Sequence, residues 1–197
     1  VGELALGESL AGTPARLGIT GHLSMGAPAE GLAATLVARR LDRDGESDLK
    51  LHFVPKGETL DVRVHHSESP GGIVAHLLDI EGRPEVDFDL QGQGPLDNWL
   101  AKLAFSAGDV ARGTGRATLN RQGAARRLDI DLTGQVQGLL PPVAATVFAG
   151  STRVTGQIDL GDDGGVGLSG LRLASDQAEL TVSGRIDADR QINVQAA

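Results

Sequence analysis

Apolar and polar residues alternate along almost the whole chain. Leu49, Leu51 and Phe53 alternate with polar neighbours, the stretch PKGE at 55–58 has the composition of a hairpin turn, and the alternation resumes at Leu60. A strand sends successive side chains to opposite faces, so this pattern predicts antiparallel strands with one apolar and one polar face. About a dozen strands of about 7–10 residues are expected, which makes the fold class all-β.

Two segments break the alternation and predict short helices. SPGGIVAHLLDIEG, residues 69–82, carries apolar residues at helical spacing, and GLLPPVAATVFAG, residues 138–150, has prolines where a first helical turn accepts them. Both segments end in glycine, a common helix stop. A third segment, GLAATLVARRLDRDG at 31–45, fits a strand or a helix, and the strand is favoured.

The order of strands and helices repeats along the chain. The stretch LDVRVHHSESPGGIVAHLLDIEGRPEVDFDL resembles LDIDLTGQVQGLLPPVAATVFAGSTRVTGQIDL, so that Leu60 aligns with Leu128. The spacing predicts one repeat-built domain over residues 1–197, with repeats of about 68 residues at 15–82 and 83–150 and a partial one at 151–197.

A shorter pattern recurs within the strands: an apolar residue, Ser or Thr, Gly, any residue, an apolar residue. It occurs as ITGHL, LTGQV, VTGQI and VSGRI, and its glycines are Gly21, Gly134, Gly156 and Gly184. Each glycine falls in the apolar row, where a core side chain is expected. Glycine inside a strand marks a bulge, a bend or a close approach of another group to the backbone.

Composition leaves two arrangements open for the apolar face. Glycine contributes 28 of 197 residues and aromatics only 3%, so much of the apolar face lacks bulky side chains. Inward glycines leave space and permit curvature, which favours an open groove. A sandwich or barrel in which the apolar rows pack on one another remains the alternative on these observations.

Charge and cysteine content exclude several classes of function. The net charge of −8 argues against nucleic acid, which requires clustered cations, and against simple electrostatic docking to anionic lipid. Without cysteine the chain has no disulfide and no thiolate chemistry. The longest apolar run, near 138–150, is too short to span a bilayer, and the termini suggest a fragment of a longer protein.

No catalytic or metal-binding constellation emerges. His65 and His66 are neighbours on a strand, so they point to opposite faces and are expected to be solvated rather than to share a metal. The acidic pairs Asp87/Asp89 and Asp129/Asp131 fit a solvated polar face better than a calcium loop. GTGRAT and GQGPLD lack the third glycine and the helix of a dinucleotide site. We therefore expect no enzyme, no cofactor and no metal.

The alternating strands, the recurring glycine step and the passages GLLPPVAATVFAGSTRVTGQIDL and GLRLASDQAELTVSGRIDA resemble the TamB family of the translocation and assembly module and the wider AsmA-like group. The resemblance implies a long curved sheet with an apolar interior, a β-taco. It implies a periplasmic location in bacteria, with the full-length protein anchored in the inner membrane. It also implies a role in phospholipid transport to the outer membrane, or in outer-membrane protein assembly with a TamA-like barrel and client proteins.

Under this interpretation the apolar rows form a hydrophobic groove for phospholipid acyl chains, and glycines in the rows make room for them. A passive β-solenoid or adhesin-type module with a closed dry core is the alternative, and a carbohydrate-binding module would need more exposed aromatics than Trp99. The residues expected to line the groove are Val86, Phe88, Leu90, Leu103, Phe105, Ile130, Leu132, Val154, Ile158, Leu180, Val182 and Ile186, with Gly134, Gly156 and Gly184 as the glycines that make room.

Overall fold

The chain folds as a meander of strands in a single sheet. The computed structural model describes residues 2–123, 125–140, 142–161, 166–186 and 192–196. In these residues thirteen strands pair in chain order, each antiparallel to the next. They are β1 (Gly2–Leu6), β2 (Ala15–Met25), β3 (Leu32–Arg40), β4 (Gly45–Val54), β5 (Thr59–Glu68), β6 (Val86–Pro95), β7 (Asn98–Ala107), β8 (Ala111–Gln122), β9 (Ala125–Gln135), β10 (Thr152–Leu160), β11 (Val166–Ala174), β12 (Glu179–Ile186) and β13 (Ile192–Ala196).

The all-β prediction is confirmed, and the sheet is curved and unclosed. The first and last strands each pair with one neighbour only among the described strands, so the sheet has two free edges. The segment at 31–45 contains strand β3, as favoured from its sequence. The sequence pattern missed β1 and β13, which are both five residues long.

Strand connections alternate between two rims of the sheet. Three short helices lie on one of them, here called the helical rim: α1 (Glu8–Ala11), α2 (Ile73–Leu77) and α3 (Pro142–Ala145). They connect β1 to β2, β5 to β6 and β9 to β10. The opposite, hairpin rim carries tight turns, including a 3₁₀ turn over Pro55–Gly57 at the predicted hairpin PKGE.

Both predicted helices are shorter than the sequence pattern indicated. In the segment 69–82 only α2 is helical, because Asp79 takes φ of +50° and Arg83 takes φ of +43° as the chain turns toward β6. In the segment 138–150 a 3₁₀ turn ends at Leu139 and α3 ends at Ala145. Helix α1 was not predicted, since its four residues show no periodicity.

The packed core is small and lies under the helical rim. Ala75 and Ile80 of the α2 segment pack against Val86, Ala107 and Ala111 at the ends of β6, β7 and β8. Val86 is only 6% exposed. The expectation that Val86 lines an open groove is therefore wrong, because α2 covers it.

Glu68 connects the sheet to α2 through a buried carboxylate. It is 7% exposed, and its two oxygens accept hydrogen bonds from the backbone N–H groups of Val74 (3.0 Å) and Ala75 (2.8 Å). Burial opposes ionisation, but the hydrogen bonds from these N–H groups and the His66 ring, whose Nε2 lies 3.5 Å from the carboxylate, outweigh it, so the pKa of Glu68 is lowered. The carboxylate thereby satisfies the free N–H groups in the first turn of α2.

We expect Glu68→Gln to lower the free energy of unfolding at pH 7 by about 1–3 kcal/mol, because one amide N–H group then faces a backbone N–H group. A lowered carboxyl pKa contributes stability that is present above the ordinary value of 4.5 and lost as pH falls through the lowered pKa. The variant should lose less stability than the parent protein between pH 5 and pH 3 in urea unfolding. Glu81→Gln, at an exposed position, is the control; equal acid sensitivity of the Glu68 variant and the parent would contradict the assignment.

Candidate functional site

One face of the sheet is predominantly apolar across the strands, and its charged side chains lie near the strand ends. The strand register aligns Leu36, Leu49, Val64, Leu90 and Leu103 in one row across β3 to β7. A second row continues through Leu173, Val154 and Leu132 on β11, β10 and β9. Eleven of the twelve predicted lining residues lie on this apolar face, and the backbone of Ile186 pairs with Val166 at the end of β12.

Side chains on the apolar face remain partly accessible. Nine hydrophobic residues are buried in the described part of the chain. Six of them are alanines, so few large side chains are shielded from solvent. Leu23 and Met25, near the hairpin rim of β2, are 63% and 77% exposed. Of the predicted lining residues, Leu180 is exposed and Val86 is buried. Ile186 lies on β12, but its side chain is outside the described part, and the remaining lining residues are half-buried.

The glycines of the apolar face do not leave empty space. A Cβ at Gly134 would meet the carbonyl oxygen of Arg112 and come within 2.6 Å of the Cα of Gly113. A Cβ at Gly156 would lie 3.0 Å from a methyl group of Leu171, opposite a bulge in β11. The expectation that these two glycines make room for a ligand is therefore wrong. They permit close approach and a bulge instead, while Gly184 pairs with Leu168 on the same face.

Trp99 covers another glycine of the apolar face. Its ring occupies the position that a Cβ at Gly92 would take, and its indole N–H donates to the carbonyl oxygen of Leu60, 2.9 Å away on β5. The side chain thus crosses β6 completely. The alternating pattern alone does not indicate this packing. A single large aromatic one hairpin away from a glycine is the signal in the sequence that does.

An ion-pair cluster shows how strongly the hairpin rim curves. Arg121 contacts Glu58 and Asp97 at 3.1 and 2.7 Å, and Arg126 contacts the same two carboxylates at 3.0 and 3.6 Å. The hydrogen bond from Arg121 holds the pKa of Asp97 below its ordinary value. Glu58 precedes β5 and Arg126 lies on β9. In a flat sheet these two strands would be four strand spacings, about 19 Å, apart, yet the two side chains are in contact. Because Arg121 and Arg126 lie on the apolar face, the rim curves toward that face here.

The polar face carries two open depressions. The first, with a volume of about 490 Å³, crosses β3 to β7 toward the hairpin rim. The second, of about 540 Å³, crosses β6 to β9 toward the helical rim and reaches Ser151. A twisted sheet is saddle-shaped, so each face is concave along one diagonal. The sequence pattern indicated a polar face but not its shape.

The histidine and aspartate pairs lie as strand geometry requires. His65 faces the polar side and contacts Asp89 at 2.9 Å, which raises the pKa of His65, while His66 faces the apolar side and bonds Ser47 at 2.7 Å. His66 is half-buried, so the expectation of solvent exposure holds for His65 alone. Asp131 accepts from Arg153 and Arg116. Among the described residues no group of three or more His, Asp or Glu side chains is arranged to hold a metal ion.

Comparisons of the chain with protein-family models, with curated proteins and with solved structures find no match. None of the described helices combines the length and the apolar character needed to cross a bilayer. The apolar face and the depressions of the polar face are therefore interpreted from their own geometry and chemistry.

Proposed function

We propose that this chain is a periplasmic segment of a TamB-like envelope protein whose apolar face carries phospholipid acyl chains between the inner and outer membranes of a bacterium. The observation that supports the proposal is the apolar face itself, which continues over the strands while most of its side chains keep part of their surface accessible. Soluble monomers rarely leave an apolar surface of this extent without a ligand or partner. The role is one of binding and conduction rather than of catalysis.

The chemistry of the apolar face suits a ligand that must be held and still move. Each methylene group of an acyl chain removed from water contributes about 0.8 kcal/mol. Valine, leucine and isoleucine side chains form no directional bonds, so an acyl chain can slide from one strand to the next without breaking hydrogen bonds. The opposite face stays hydrated through cross-strand ion pairs such as Arg153–Asp131, at 2.8 Å.

The proposal includes a groove and a repeat of about 68 residues. Four strands, β2 to β5, lie between α1 and α2, four more, β6 to β9, lie between α2 and α3, and these helices lie on the helical rim. Helix α2 covers the end of the apolar face at the helical rim. At the hairpin rim, the ion pairs around Glu58 lie where the sheet curves toward the apolar face. A groove bounded by these two rims would keep acyl chains out of water while headgroups remain at its opening.

A second role, in outer-membrane protein assembly, is favoured by the free edges of the sheet. Within the described strands β1 and β13 each have one unpaired side, which can pair with an added strand. An outer-membrane client protein, or a TamA-like barrel, would supply such strands. In the alternative of a passive structural module, the same apolar face would be covered and dry.

Lipid content of the purified chain tests the proposal. We expect solvent extracts of protein purified without detergent to contain phospholipid by mass spectrometry, and a photoreactive residue at Leu132 or Ile158 to crosslink to acyl chains. A photoreactive residue at Thr118, on the polar face, serves as the control. Lipid-free protein that also fails to take up labelled phospholipid from vesicles would contradict the proposal.

A further inference from the structure

Three cationic side chains form a row on the polar face. The register places Lys50 opposite Arg63, Arg63 opposite Gln91 and Gln91 opposite Lys102, so the row crosses β4 to β7 at one level. All four side chains line the first depression of the polar face. Nothing in the spacing along the chain indicates this grouping, because the residues come from four separate strands.

The cations of this row lack the carboxylate partners that ten arginines of the chain have, as do Lys56, Arg83 and Arg112 among the described residues. Ten arginines form ion pairs with carboxylates, whereas Lys50, Arg63 and Lys102 form none with the residues that the structure describes. Like charges directly opposite each other on neighbouring strands are destabilising. In a chain with a net charge of −8, carboxylates are abundant enough that this row could have been neutralised. The positive charge of this row is nevertheless not neutralised by ion pairs within the described part of the chain.

The depression has the size of a small-molecule site. Its volume of about 490 Å³ falls in the range of about 300–1,000 Å³ typical of ligand pockets. Thr35 and Gln91 add neutral polar groups to it, and Asp61 and His52 line it toward the hairpin rim. A ligand in this position would meet positive charge at the centre and a carboxylate at one end.

We propose that this depression binds a phosphate group, with Arg63 and Lys50 as the main contacts and Lys102 at the far side. The planar guanidinium fork of arginine matches phosphate oxygens, and lysine adds a mobile point charge. Asp61 repels a bare anion and accepts hydrogen bonds from a hydroxyl or amine that the ligand carries beside its phosphate. A sugar phosphate and a phospholipid headgroup both have this chemistry. The site lies on the face opposite to the proposed acyl-chain surface, so it stands independently of that function.

Titration of the intact chain with glycerol 3-phosphate at low ionic strength tests the site. We expect Arg63→Gln to weaken binding about tenfold or more, since it removes a charge-assisted hydrogen bond to the phosphate. Lys56→Gln removes the same charge from an exposed turn outside the depression and should leave the affinity unchanged. Asp61→Asn keeps an oxygen that accepts from the hydroxyl groups of glycerol 3-phosphate and removes the repulsion of its phosphate, so it should tighten binding. Lys50→Gln should raise the unfolding midpoint of the unliganded protein by relieving repulsion between Lys50 and Arg63.

Binding to vesicles distinguishes a phospholipid headgroup from a soluble phosphate compound as the ligand of this site. Flotation with phosphatidylglycerol vesicles that depends on Arg63 assigns the site to a lipid headgroup, whereas binding of glycerol 3-phosphate without flotation assigns it to a soluble phosphate compound. Equal loss of affinity in the Arg63 and Lys56 variants, or no binding of either probe by the parent protein, would overturn the proposal. The lipid content of the Arg63→Gln variant is measured alongside. If this variant still retains acyl chains, failure of the phosphate site leaves the lipid-carrying role untouched.

Discussion

Gly134→Ala is expected to lower the free energy of unfolding by about 2–3 kcal/mol, a large effect for the addition of one methyl group. The reason is that the Cβ would enter the space of the Arg112 carbonyl oxygen and of the Gly113 Cα, which are backbone atoms and cannot rotate away. The strands β8 and β9 would have to separate or flatten at this point. Urea unfolding followed by far-UV circular dichroism measures the loss.

Gly167→Ala is the matched control, because Gly167 also lies within a strand and its Cβ would meet only the Cβ of Asp159, at 3.7 Å. We expect its stability to stay within about 0.5 kcal/mol of the parent protein. If both alanine variants unfold at the same urea concentration, the close strand approach at Gly134 is not a structural requirement, and curvature at β8 and β9 must have another origin.

Val154→Asp is expected to remove most bound phospholipid while the chain stays folded. Val154 is half-buried and pairs with Leu132 and Leu173 in the apolar row, so a charge there interrupts the path of an acyl chain. An ionised carboxylate remains hydrated on an accessible face, whereas one placed in a sealed core costs several kcal/mol. Val182→Asp, in the neighbouring part of the same face, should behave in the same way.

Thr133→Asp is the control for these variants, because it adds the same charge on the polar face, opposite Arg153. Lipid bound per chain, measured by mass spectrometry, should fall in the valine variants and not in this one. Unfolding of both valine variants would favour the closed, dry module over the lipid-carrying surface. Folded valine variants with undiminished lipid would instead place the lipid away from these rows.

Period-two alternation was sufficient to predict most of the fold. Strands β2 and β4 to β12 each contain an alternating run that the pattern identifies, β3 was the favoured interpretation of an ambiguous segment, and the turn at 55–58 joins β4 and β5 as expected. The pattern was weaker at the ends, where β1 and β13 are short and each pairs with a single neighbour. It overestimated both helices, because the chain between neighbouring strands must turn within a few residues and Asp79 and Arg83 supply that turn.

Part of the candidate site could likewise be predicted from the sequence, and part of it could not. That Val154 and Ile158 share a face follows from parity alone, and parity also separates His65 from His66, whereas the strand register adds Leu132 to that face. Parity does not reveal what covers a residue, so Val86 was assigned to an open surface although α2 packs on it. The glycines were placed on the correct face, yet the space above them depends on the bulge in β11 and on the approach of β8 to β9.

The sequence by itself determined the all-β class, the two chemically distinct faces and the strands that carry them, because these depend on residues one or two positions apart. The tertiary structure decided the curvature, the covering of Val86 and Gly92, and the meeting of Lys50, Arg63 and Lys102 in one depression. Those features depend on the register between strands and on the twist that accumulates across the sheet. Register joins residues that are distant along the chain, and a local pattern holds no information about which of them meet.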